Sequence, residues 1–146
     1  MSNWRDSASD EVQDDFDRLA EVTVAAARSF LELGGDFIPF PMAIKSDGEL
    51  AAIGLEQPTP PSPPDPREVI DGIVGLFRDR RDSIRALAIG ADVELPAEAL
   101  DAIEVRLEHR DGFSITVLVP YQIDSLDDSY LFDEPRIQDG VARIWS

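Results

Sequence analysis

DAIEVRLEHRDGFSITVLVPY, residues 101–121, is the stretch on which the fold turns. Ile103, Val105, Leu107 and His109 alternate with Glu104, Arg106 and Glu108, the two-residue period of a half-buried strand. A second alternating run carries Ile115, Val117 and Val119, and Asp111-Gly112 lies between the two. Loop length then sets the register. A two-residue loop would place Leu107 opposite Thr116, whereas a three-residue loop over Arg110, Asp111 and Gly112 pairs His109 with Phe113, Leu107 with Ile115, Val105 with Val117 and Ile103 with Val119. Only the longer loop brings both apolar sets to one face, so the sequence predicts a type I turn closed by a glycine bulge.

Upstream, Ile84 to Val93 is apolar on both faces and reads as an interior strand. Phe37 to Lys45 and Glu49 to Leu55 flank Asp47-Gly48, which predicts a hairpin with a two-residue turn. Phe40, Met42 and Ile44 would then face Leu55, Ile53 and Ala51. Pro39 and Pro41 remove two ladder donors, which suits an edge.

Two helices are expected. In residues 10–33, Val12, Phe16, Leu19, Thr23, Ala26, Phe30 and Leu33 recur at alternating four- and three-residue steps on one stripe. Ser9 is placed to cap this helix and Gly34-Gly35 to end it. Asp14, Asp15, Asp17, Glu21 and Glu32 are assigned to its wet side. The second helix opens with Asp65 as N-cap and Pro66 at the first helical position, and buries Val69, Ile70, Ile73, Val74 and Phe77. Between hairpin and helix, EQPTPPSPP (residues 56–64) prefers extended polyproline conformation and reads as a stiff connector.

The expected fold is therefore α+β, in the order α-β-β-α-β-β-β. Two helices would lie on one face of a mostly antiparallel five-stranded sheet, as a two-layer sandwich. The order resembles the profilin-like and roadblock-like sandwiches, a fold-level likeness that implies no function. One domain over residues 1–146 is expected, with its core at about 10–121 and an acidic segment, 122–146, for which docking on that core and lying free of it are both open.

With 43% apolar and 29% charged residues the chain has the composition of a globular protein. The absence of cysteine excludes disulfides, thiolate metal sites and a cysteine nucleophile. A net charge of −17 repels nucleic acid and anionic membranes and favours a basic protein partner. The N-terminus has no leader pattern, and the nearly apolar run Ile115 to Tyr121 is too short to cross a bilayer, so the cytoplasm is the expected location.

Candidate chemistry is sparse. His109 is the only histidine, and an imidazole at a strand end could serve as a base beside Tyr121 and nearby carboxylates. Its neighbours Glu108 and Asp111 lie off its strand face, and the alternative is a half-buried structural histidine against Phe113. Asp92 and Glu94 share a strand face. Asp124, Asp127 and Asp128 form a DxxDD cluster with oxygens suited to magnesium or calcium, but without the glycine, spacing and terminal glutamate of an EF-hand. His109, Tyr121, Asp124, Asp127 and Asp128 are the candidate binding residues; no catalytic set, metal ligand or cofactor is assigned.

The stretch DAIEVRLEHRDGFSITVLVPY, together with PFPMAIKSDGEL (residues 39–50), resembles segments of a group of small bacterial proteins with no assigned activity. With the second helix the likeness spans about half the chain. It implies a stand-alone bacterial domain and carries over no functional residues.

Three functions follow from these observations. The first is a non-enzymatic acidic interaction protein of immunity or adaptor type. The second is a ligand-binding or metal-dependent activity near His109 and Tyr121. The third is a homodimer built through an open sheet edge or the tail.

Overall fold

The computed structural model describes residues 4–52 and 64–145. A one-turn helix α1 (Trp4–Ser7) leads into the long α2 (Asp10–Gly34), followed by β1 (Phe40–Lys45), β2 (Leu50–Ala52) and α3 (Pro66–Asp79). Strands β3 (Ile84–Leu95), β4 (Leu100–His109), β5 (Ser114–Ile123), β6 (Tyr130–Phe132) and β7 (Arg136–Asp139) complete it. All pairings are antiparallel in one curled sheet of order β2-β1-β3-β4-β5-β6, with β7 on the same outer edge of β5.

The helix caps form where the sequence places them, while Leu33 of the expected buried stripe is exposed, the packed face running through Ala27 and Leu31 instead. Ser9 Oγ accepts the Val12 N–H, and Gly35, at φ 84°, closes α2 in the left-handed conformation. The Asp65 side chain accepts the Arg67 N–H at the start of α3. In the β4–β5 hairpin Leu107 pairs with Ile115, Val105 with Val117 and Ile103 with Val119, and Gly112 has φ 96°. The three-residue turn holds.

The first hairpin differs by one residue. Ile44 pairs with Leu50 and Met42 with Ala52, and the Lys45 N–H donates to Glu49 O, so this loop also has three residues. Asp47 accepts the Glu49 N–H and Gly48 takes φ 93°, a bulged turn that Asp-Gly supports as readily as the two-residue one. Ile53, Leu55 and the proline-rich connector through residue 63 lie outside the described residues.

The expected two-layer, five-stranded sandwich is corrected in two respects. First, the helices lie on opposite faces. α2 packs on Phe40, Met42, Ile44, Ala86, Ala88, Ile103, Val105 and Leu107. Ile70, Val74 and Phe77 of α3 pack instead on Ala43, Leu87, Ile89 and Ala91. The cause is β3: a strand apolar on both faces needs cover on both. Second, residues 130–139 add two short strands to the edge. The chain end then returns under the α3 face, where Ile144 is buried and the Glu108 carboxylate accepts the N–H groups of Arg143, Ile144 and Trp145.

α2 lies directly on β3, for which Gly90 is required. A Cβ there would stand 2.8 Å from the Phe40 ring and 3.0 Å from Thr23.

Candidate functional site

α2 crosses β1, β3 and β4, while the sheet continues past it into β5, β6 and β7. The inward side chains of β5, Ile115, Val117 and Val119, therefore meet the flank of α2 across a gap. Curling of the sheet raises Tyr130 and Phe132 as its far wall. The result is an open groove of about 910 Å³, floored by valines and isoleucine and walled by Trp4, Phe16, Ala20 and Val24. Leu131 and Ile137 extend its apolar surface outward, at 48% and 47% exposure. At the rim Arg5 is paired with Asp17 at 2.6 Å, and Arg28 stacks over Phe132 at 4.1 Å. Glu21 and Asp133 complete the rim.

A polar network stands beneath the N-terminal turns of α2. Asp15, expected on the wet side, is 4% exposed and accepts two hydrogen bonds from Arg85, each 2.9 Å. Arg85 reaches it because the β1–β3 register jumps from Ile44–Ala86 to Lys45–Ile84, leaving Arg85 as the extra residue of a bulge. The carboxylate holds this guanidinium above its ordinary pKa. His109 is fully buried, edge-on to Phe16, with its backbone N–H bonded to Phe113 O. Its Nδ1 accepts the Asp111 N–H at 3.2 Å, so the neutral ring carries its proton on Nε2, which donates to Asp15 Oδ2 at 3.0 Å.

Tyr121 lies at the other end of the sheet. His109 bonds Phe113 across the hairpin, and Tyr121 is eight residues farther along β5, roughly 27 Å of strand rise. Tyr121 is buried and donates to Asp92 Oδ1 at 2.7 Å. Burial pushes the Asp92 carboxyl up to about 6, reinforced by Asp101, Asp36 and Glu94 against the Tyr121 hydrogen bond. Burial, with the bond to Asp92, likewise raises the Tyr121 phenol above its ordinary value.

The DxxDD residues join neither end. Asp124 Oδ1 accepts the Leu126 N–H, and Asp127 accepts both the N–H and the hydroxyl of Ser129, which holds its carboxyl below the usual range. Asp128 sits at φ 59° with its N–H on Asp124 O. These acids build a turn.

Asp15 and Arg85 escape a reading by residue type, although one signal was present. Asp15 lies three residues after Val12 and four before Leu19, inside the apolar stripe, where an acid needs a buried partner. The groove has no local signal, because it depends on how far the sheet extends beyond the helix. No protein-family model, curated protein or solved structure matches the chain. No described helix is long and apolar enough to cross a membrane.

Proposed function

We propose that this is a non-enzymatic interaction protein, of adaptor type, whose groove between α2 and β5–β7 receives the apolar face of a basic segment of a partner protein. The groove itself carries the reading. An open groove of this volume, lined mostly by apolar side chains, is the default candidate on the described surface for binding another molecule. Its volume alone would suit a small ligand, since ligand clefts run to about 1,000 Å³. Leu131 and Ile137 favour a longer occupant: they continue the apolar surface over the shoulder, as a helix-in-groove interface requires.

Charge selects the partner. The rim carries Asp17, Glu21 and Asp133 against Arg5 and Arg28, a slight acidic excess on a molecule carrying −17. A basic segment is steered in, and a second copy of this chain is repelled. The test uses two probes of equal apolar pattern, a leucine–lysine amphipathic helical peptide and its leucine–glutamate counterpart, read by the emission of Trp4 in the groove wall. The basic peptide is expected to bind, more weakly as salt rises, and to lose affinity with Ile137→Asp. Equal binding of both peptides, or binding indifferent to Ile137→Asp, refutes the proposal. Concentration-dependent dimers in light scattering, abolished by the same substitution, would assign the groove to a second copy instead.

A further inference from the structure

We infer that Glu11, His109 and Asp111 form a binding site for a divalent transition-metal ion of the zinc class, independent of the groove. One ligand atom from each residue lies within 4.8 Å of the others. The decisive feature is the far side of the imidazole. A metal-bound histidine characteristically donates its other N–H to a carboxylate, which fixes the tautomer and aims the lone pair. His109 is already in that state. Its Nε2–H donates to Asp15, and Asp15 is itself clamped by two bonds from Arg85. The nitrogen with the lone pair is Nδ1, which accepts the Asp111 N–H and lies 3.9 Å from Asp111 Oδ2.

The required movement is small. Bond lengths near 2.1 Å at tetrahedral angles set ligand atoms roughly 3.4 Å apart. Closing from 3.9 Å at Asp111, and from at most 4.8 Å at Glu11, needs rotation of these two side chains, which are about half exposed, and a shift of the Asp111 backbone N–H off Nδ1. Two contacts yield. The Asp111 N–H bond to Nδ1 is long at 3.2 Å, and the Arg110–Glu11 pair, at 3.9 Å between exposed side chains, is worth little. An imidazole nitrogen selects zinc-class ions over magnesium or calcium, which take oxygen sets. Such an ion would tie the first turn of α2 to the β4–β5 turn.

The chain's single histidine makes the test direct. Zn²⁺ is titrated into the intact protein over a constant magnesium background, with heat and the imidazole ¹⁵N signals as readouts. One equivalent is expected to bind and to move the Nδ1 resonance of His109. Glu11→Gln and Asp111→Asn, both at exposed positions, are each expected to weaken binding roughly tenfold or more. Asp79→Asn, which removes the same charge from the end of α3, should leave it unchanged. Absence of one-equivalent binding, an unmoved imidazole signal, or unweakened, wild-type affinity in Glu11→Gln or Asp111→Asn overturns the assignment.

Discussion

Asp15 occupies a core position of α2 because two partners meet it there, the Arg85 fork and the His109 Nε2–H. Removing the charge leaves a guanidinium that is only 19% exposed without its carboxylate, a change that costs about 3 kcal/mol or more. Asp15→Asn is therefore expected to lower the urea midpoint strongly; a shift equivalent to under 1 kcal/mol would show that the network is not tight. Asp92 presents the opposite case. Its folded pKa, about 6, lies above its ordinary value of 3.8, so the folded state holds this proton more firmly than the unfolded one. The associated stability is fully present below about pH 4 and is lost as pH rises through about 6. Allowing for the group's partial exposure, Asp92→Asn is expected to gain roughly 1–2 kcal/mol at pH 7. It should also flatten the contribution between pH 4 and 7. An unchanged pH profile would contradict the burial of that carboxyl.

Among the elements, the most local signals were the most legible. The β4–β5 register was readable because only one loop length brings Ile103, Val105 and Leu107 onto the same face as Ile115, Val117 and Val119. In the first hairpin Ala51 and Ala52 flank the alternatives with little difference in hydrophobicity, so the pattern could not separate two registers one residue apart. The placement of α3 was implicit in Leu87 and Ile89 on one side of β3 and Ala86 and Ala88 on the other. The return of the chain end was not legible, because its anchor is a strand glutamate that looks solvent-facing. Glu108 gathers three backbone N–H groups from residues 143–145 and seats Ile144. Glu108→Gln keeps the shape but loses the charge on the acceptor, at an expected cost of about 2 kcal/mol. Hydrogen exchange at Ile144 and Trp145 checks this: faster exchange is expected in the variant, and unchanged protection would show that packing alone holds the end.

Over the whole molecule, α2 spans less of the sheet than the sheet offers. The apolar face of β5 is left beside a helix flank whose outer side is acidic. Neither feature follows from composition. A charge of −17 was visible in the sequence, but the groove depends on β6 and β7 extending the edge, and their short, mostly exposed stretches carry little periodic signal. Together they define the proposed activity: an apolar docking surface in an acidic field. The most direct measurement is amide chemical-shift mapping with the leucine–lysine peptide at low salt. The account predicts shifts concentrated at Ala20, Val24, Val119, Phe132 and Ile137, with the α3 face silent. Shifts confined to the α3 face, or spread evenly over the acidic surface with none in the groove, would contradict it.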